Sequence, residues 1–268
     1  MTYREINEIR HAVKEKRPLI HCITNPISIT GCANAILSLG ARPIMAEHPK
    51  EVSEITETAS ALMLNLGNIT DARMESMLIA SDIAAKKNIP VTLDLVGVAC
   101  STLRRKFASE HVNKNTPAIL KGNYSEIMAF FNEDYKASGV DAEVSLQAES
   151  VLKASAALAK KYNCTVLASG KTDIITDGKK AVSVYNGTEK MSSITGTGCM
   201  LGAFAATFSS ASDPFEAAVS AAVAFGICGE KSECDGAGSF SAALLDSISL
   251  LSDADIEKYM KAEDIIIG

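Results

Sequence analysis

The stretch Thr195-Gly196-Thr197-Gly198-Cys199 carries the densest chemical signal in the chain. Two glycines one residue apart let the backbone turn so tightly that successive N–H groups face one space, and a following helix adds the positive end of its dipole. Gly196, Thr197, Gly198 and Cys199 therefore form a candidate anion hole. A thiol at such a helix start is expected to have a lowered pKa, so Cys199 can act near neutral pH as a general base or as a positioning group. The spacing G-x-G-x-x-x-G, continued to Gly202, fits neither a dinucleotide fingerprint nor a phosphate-binding loop of the Gly-Lys type.

Hard oxygen donors appear at two other places. Asp94 closes the apolar run Val91-Thr92-Leu93, while Asn123 and Glu126 follow Ala118-Ile119-Leu120 across Lys121-Gly122. Both places are expected at the carboxyl ends of strands, where parallel sheets present ligands. Asn-x-x-Glu straddles a helix start, so Asn123 can fix the turn while Asp94 and Glu126 serve Mg²⁺, Glu126 through water. Taken singly, Asp94 reads equally well as a helix cap and Glu126 as a first-turn acid facing the dipole. Together with an anion hole they point to phosphoryl transfer. Near the start, His21-Cys22-Ile23-Thr24-Asn25 ends the first strand, with Asn34 in the next helix and Met45 at the end of another strand. Asn25 and Asn34 can satisfy a substrate heteroatom or a backbone group, and Met45 offers an adaptable wall to a flat ring; turn capping and core packing are the competing roles.

Composition limits the setting for this chemistry. The chain has 268 residues, 47% of them hydrophobic, and a formal charge of −6 from 26 Lys plus Arg against 32 Asp plus Glu. That describes one domain, residues 1–268, with too much apolar content for disorder. No cluster of Lys or Arg marks a nucleic-acid binder, so small molecules are the expected partners. The seven cysteines form no C-x-x-C pair, the four histidines show no zinc-ligand spacing to them, and no apolar run follows the charged start. A disulfide framework, a zinc site and a secretory signal are all unsupported, and the expected compartment is cytoplasmic. Met191 to Ser212 is uncharged and long enough to span a bilayer, but its glycines and hydroxyl residues and its low Leu/Ile/Val density predict no membrane span. Two closely packed core helices are expected instead, touching through Ala203, Ala206, Ala218 and Ala222.

The elements that must hold these residues alternate. A helix over residues 2–16 stops at Pro18 before a strand at Leu19 to Ile23. Further strands are expected at Pro43 to Ala46, Leu62 to Leu66, Val91 to Leu95, Ala118 to Leu120 and Thr165 to Ala168. Helices are expected between them, near Ala33 to Leu39, Pro49 to Ser60, Asp71 to Lys87, Thr102 to Val112 and Val144 to Tyr162. Asp177-Gly178 reads as a hairpin turn between Ile174 to Thr176 and Ala181 to Tyr185. A polar surface insertion is expected at Asn132 to Asp141, a further helix at Ser241 to Leu251 and a last strand at Ile265 to Ile267. The series predicts an α/β fold of three layers, a mostly parallel central sheet flanked by helices.

Taken in order, His21-x-Ile23-Thr24-Asn25, Ala33-Asn34, Gly40-Ala41-x-Pro43-x-Met45, Asp94-x-Val96-Gly97, Gly122-Asn123-x-x-Glu126, Thr195-Gly196-Thr197-Gly198-Cys199 and Gly238-Ser239-Phe240 span nearly the whole chain. This combination resembles the hydroxyethylthiazole kinases. The resemblance implies a ribokinase-like fold, ATP- and Mg²⁺-dependent phosphorylation of the primary alcohol of 4-methyl-5-(2-hydroxyethyl)thiazole in thiamine salvage, and a homotrimer with active sites between subunits. It implies substrate contacts at Met45 and Gly196, with Asn25 beside them, and ATP contacts at Lys121, Asn123 and Ser169. Asp94 and Glu126 fall in the magnesium and phosphate region, and Cys199 where most ribokinase-like enzymes place an Asp base. Leu95 stands where the family commonly has Pro, Lys121 where Arg is frequent and Ser169 where Thr is frequent. Lys121 keeps the charge without the bidentate fork, and Ser169 keeps the hydroxyl. Kinases for hydroxymethylpyrimidine or sugars, and ATP-dependent dehydratases of NAD(P)H hydrates, are the alternatives within the fold, and they usually carry Asp at that place. A nucleotide-binding sensor without turnover is the alternative outside catalysis.

Overall fold

Alternation of side chains along the strands divides the apolar residues between two cores. In the computed structural model, which describes residues 1–132 and 148–266, the strands are β1 (Leu19–Ile23), β2 (Arg42–Ile44), β3 (Ala61–Asn65), β4 (Val91–Asp94), β5 (Ile119–Asn123), β6 (Thr165–Ser169), β7 (Asp173–Thr176), β8 (Ala181–Val184) and β9 (Ala262–Ile265). They form one nine-stranded sheet in the order β2-β1-β3-β4-β5-β6-β7-β8-β9. The first six are parallel to one another, and the last three add an antiparallel edge that begins at the β6–β7 pairing. Ala61 and Met63 of β3 point into one core, Leu62 and Leu64 into the other. A period of two on strands buried from both sides requires helices on both faces.

Those helices are α1 (Tyr3–Lys16), α2 (Ile29–Ser38), α3 (Val52–Thr58), α4 (Asp71–Lys87), α5 (Thr102–Lys114), α6 (Tyr124–Phe131), α7 (Ala148–Tyr162), α8 (Thr197–Ser209), α9 (Pro214–Lys231), α10 (Ala237–Ser249) and α11 (Asp253–Tyr259). Helices α3 to α7 cover one face, while α1, α2 and α8 to α11 cover the other. The start of α1 is fixed by a capping box between Thr2 and Glu5. Its Arg10 is buried and bonds Asn7 at 2.7 Å, Asp253 at 2.9 Å and the carbonyl of Leu251, clamping the first helix to the last helical segment. His11 reaches the other oxygen of Asp253 at 2.7 Å.

The uncharged segment forms the α8/α9 pair, with Ala203, Ala206, Ala218 and Ala222 buried between them and the sheet. Side chains this small let the two axes approach closely, and enlarging one would cost about 1–3 kcal/mol in overpacking. Among the described residues no helix is long and apolar enough to cross a membrane.

Several boundaries differ from expectation. Strand β5 runs on to Asn123 because β6 pairs with it through Asn123↔Ser169. The last strand is Ala262–Ile265, set by its register against β8, while Ile267 lies outside the described residues. Helix α11 and a 3₁₀ turn at Glu189–Ser193 were not expected; α11 starts in a capping box between Ser252 and Asp255. Of the expected insertion, residues 133–141 lie outside the described residues, as do residues 144–147 of the helix that follows.

Candidate active site

The strand order reverses around β1, whose neighbours are β2 on one side and β3 on the other. Such a switch point leaves a crevice above the carboxyl ends of the strands, the place where open α/β sheets bind ligands. Asn25 follows β1, Asn65 ends β3, Asp94 ends β4 and Lys121 lies in β5. Register brings them level, with Asn65 opposite Asp94 and Asp94 opposite Lys121. Above them Gly196 adopts φ +90°, which turns the chain into α8. No side chain caps this helix start, so the N–H groups of Thr197, Gly198 and Cys199 face the crevice without an intrahelical partner. The Thr197 hydroxyl is engaged by the Met191 carbonyl at 3.0 Å, which leaves its amide as its contribution to the expected anion hole.

Cys199 is buried at the third position of α8. Its Sγ accepts hydrogen bonds from Asn65 Nδ2 at 3.2 Å and Asn25 Nδ2 at 3.7 Å. The sequence alone predicts a lowered pKa for this thiol, but it is raised. Burial is the main cause and the charge of Asp94 the second, opposed by Lys121 and by hydrogen bonds from Ser28 and Asn65. The dipole argument holds for an open helix start; here the sulfur lies under the turn, where loss of water outweighs it.

Lys121 is 3% exposed and ion-paired with Asp94 at 3.0 Å. A Cβ at Gly198 would stand 3.4 Å from Lys121 Nζ, so the ammonium sits directly beneath the glycine turn. Burial pushes the Asp94 carboxyl up, against the pull of Lys121; burial also works against the charge on Lys121, but the charges of Asp94 and Glu126 outweigh it and leave Lys121 raised. Gly202, one turn into α8, rests on the same pair: a Cβ there would lie 2.9 Å from Met63 Cε and 3.4 Å from Asp94 Oδ2.

Asn123 and Glu126 form a capping box at the start of α6, with both bonds at 2.8 Å, and Glu126 Oε1 accepts from the Gly97 amide at 2.7 Å. Asp94 Oδ2 accepts from Asn65 at 2.9 Å. All four oxygens of the two expected magnesium residues thus face protein donors, and among the described residues no cluster of three or more acidic, His or Cys side chains could hold a metal ion. The arrangement fits a magnesium ion carried by nucleotide phosphates and reached through water, and does not fit a direct protein cage.

Ser169 ends β6 beside Asn123, its hydroxyl 3.4 Å from the Gly122 carbonyl. It lies three strand spacings, about 14 Å, from Asn65, which puts it in a separate half of the crevice. Met45 sits just past β2, half-buried, two spacings or about 10 Å on the other side. His21 is not a partner for the thiol, since its ring nitrogens bond Thr56 and the Ala46 carbonyl, each at 2.9 Å, and so hold the loop after Met45 in place. Asn34 is half-buried on α2. Asn65 escaped the sequence reading, because it lies inside the expected apolar run Leu62 to Leu66 and takes its role from its register opposite Asp94.

This arrangement, with Met45 on one side of Cys199 and Lys121, Asn123 and Ser169 on the other, can be set against known proteins. The model of the Hydroxyethylthiazole kinase family matches residues 10–254. The chain belongs to this family. Hydroxyethylthiazole kinase 2 of Clostridium botulinum strain 657 is 45% identical over 260 residues, covering 95% of this chain and 98% of the relative. The structure of the hydroxyethylthiazole kinase protein from Pyrococcus horikoshii OT3 superposes with a TM-score of 0.90 at 34% identity, covering 98% of this chain and all of that one. At 12% identity, the pyridoxal kinase of Staphylococcus aureus in complex with AMP-PCP and pyridoxal shares the fold with a TM-score of 0.64 over 92% of this chain. The fold is therefore that of the ribokinase-like kinases.

Proposed function

We propose that this family member transfers the γ-phosphoryl group of ATP to the primary alcohol of 4-methyl-5-(2-hydroxyethyl)thiazole, a step of thiamine salvage. The observation that carries the reading is the junction itself: Cys199, the amides of the glycine turn and the Lys121–Asp94 pair converge at the switch point. ATP is assigned to the half bounded by Lys121, Asn123 and Ser169, and the thiazole to the half bounded by Met45, Asn25 and Gly196.

In the transfer the alcohol oxygen forms a bond to the γ-phosphorus while the bond to the β,γ-bridging oxygen breaks, its electron pair leaving with ADP. Cys199 Sγ, a neutral thiol, orients the alcohol through a hydrogen bond, and the alcohol proton passes to an oxygen of the transferring phosphoryl group as the new bond forms. In a loose transition state the alcohol needs little prior deprotonation, so a cysteine suffices where relatives use a carboxylate. Amides of Thr197, Gly198 and Cys199, with Lys121 beneath them, meet the charge on the transferring group. When bound with ATP, Mg²⁺ supplies charge neutralisation between the phosphates; Glu126, less buried than Asp94, is the carboxylate assigned to its water shell. A homotrimer with sites between subunits is supported by Ile27 and Leu37, apolar residues that are 66% and 56% exposed beside β1 and on α2. A cytoplasmic location is supported by seven free cysteines.

The test is ADP release with ATP and Mg²⁺ against hydroxyethylthiazole, hydroxymethylpyrimidine and ribose. Turnover is expected on the thiazole alone, and turnover only on a rival alcohol overturns the reading. Cys199→Ala should lower kcat with little change in the KM for ATP, and Cys199→Asp should stay active.

A further inference from the structure

Asn25 was expected to meet the substrate, yet its amide is fully used inside the protein. Its Oδ1 accepts from the amides of Ile27 at 3.0 Å and Ser28 at 3.1 Å, while its Nδ2 faces Asn65 Oδ1 at 3.0 Å and Cys199 Sγ. Asn65 repeats the arrangement. Its Oδ1 accepts from Asn25 and from the Gly67 amide at 2.8 Å, and its Nδ2 donates to Asp94 and to Cys199. Backbone N–H groups can only donate, so they fix which end of each amide is oxygen. Both NH₂ groups are thereby turned toward the sulfur. Asn65 has no exposed surface, and Asn25 is 4% exposed. Gly67 closes the arrangement, since a Cβ there would lie 2.7 Å from Asn25 Nδ2 and 2.8 Å from Asn65 Oδ1.

We propose that Asn25 and Asn65 are a pair of positioning residues that hold the Cys199 sulfur by two amide donors and tie it to the Asp94–Lys121 pair. With both donors pointing at it, the sulfur keeps a fixed direction relative to the anion hole and receives hydrogen bonds that offset its lost hydration. Asn25 then serves the reaction through Cys199, and its amide, spent on partners inside the protein, makes no hydrogen bond to the thiazole it borders. Loops after two different strands are locked in the same step, so the sulfur cannot move without both.

The proposal rests on the assignment of Cys199 above, and the experiment separates the two. Asn25→Asp keeps the oxygen that holds Ile27 and Ser28 but replaces the donor, and Asn65→Ala removes the donor to Cys199 and Asp94 together with the oxygen that anchors Asn25. Each is made in the parent and in Cys199→Ala, with folding checked by circular dichroism. In the parent, kcat should fall about fivefold for Asn25→Asp and at least about tenfold for Asn65→Ala, with the KM for thiazole and for ATP within about twofold. In Cys199→Ala the same substitutions should cost less than about threefold. Alkylation of Cys199 by iodoacetamide, followed by peptide mass spectrometry, should slow at least about fivefold in each of Asn25→Asp and Asn65→Ala, so the readout stands on the other variant if one fails to fold.

Equal losses in both backgrounds, unchanged alkylation, or a raised thiazole KM at constant kcat would each overturn the pair. If Cys199→Ala turns over as fast as the parent, the assignment of Cys199 falls and the pair falls with it. If Cys199→Ala is slow but the losses are additive, the pair alone falls.

Discussion

Two buried cations sit at opposite poles of this molecule's energetics. Arg10 joins α1 to the C-terminal segment through a carboxylate, Asp253, that is itself 52% exposed. Lys121 joins β5 to β4 through Asp94, which has no exposed surface. The fold favours the charge on Asp253, whose pKa is lowered chiefly by the hydrogen bond to His11, then by the charges of His11 and Arg10. It opposes the charge on Asp94, raised chiefly by burial. A scaffold contact leaves its carboxylate in water; a site contact strips the water away and keeps the field strong. The two pairs consequently respond to acid with opposite signs. Asp253 contributes stability above the ordinary carboxylate range, which is lost as pH falls through its lowered pKa. The Asp94 contribution is fully present below that range and is lost as pH rises through its raised pKa.

Breaking the site pair should produce the largest effect. Lys121→Met leaves a buried carboxylate without a partner, and about 3–5 kcal/mol of stability should be lost in urea titration, with kcat/KM down roughly 100-fold or more. Adding Asp94→Asn should return stability to within about 1 kcal/mol while turnover stays lost. A double variant as unstable as the single one would place this pair in the scaffold class with Arg10. Arg10→Met comes next, at about 2–3 kcal/mol, since it strips partners from Asn7, Asp253 and Leu251; kcat and both KM values should stay within about twofold. Asp253→Asn should be smallest, about 0.5–1 kcal/mol at neutral pH, shrinking to nothing in buffer acidic enough to protonate the parent Asp253. A difference that persists in that buffer would break the contrast in sign.

The sequence made Cys199 visible because Gly-x-Gly before a helix is a local pattern, and local patterns survive without coordinates. The strand-and-helix alternation was legible for the same reason, down to Asn123 and Glu126 straddling a helix start. Asn65 was not, because nothing in Leu64-Asn65-Leu66 marks it; its role comes from register, which sets it opposite Asp94 and beneath α8. The direction of the Cys199 shift was misread on the same ground. A dipole is a property of the segment, whereas burial depends on what the rest of the chain lays over it. Helix α11 and strand β9 also take their place from partners distant in sequence, through Arg10 and β8.

Gly202 sets the clearance between α8 and the sheet. A methyl there would displace the tip of the flexible Met63 side chain, 2.9 Å away, and would touch Asp94 Oδ2 at 3.4 Å, so this helix turn packs directly over the buried carboxylate. A residue larger than alanine at Gly202 would press on Asp94 itself, and so would couple the height of the proposed anion hole to the Asp94–Lys121 pair below it.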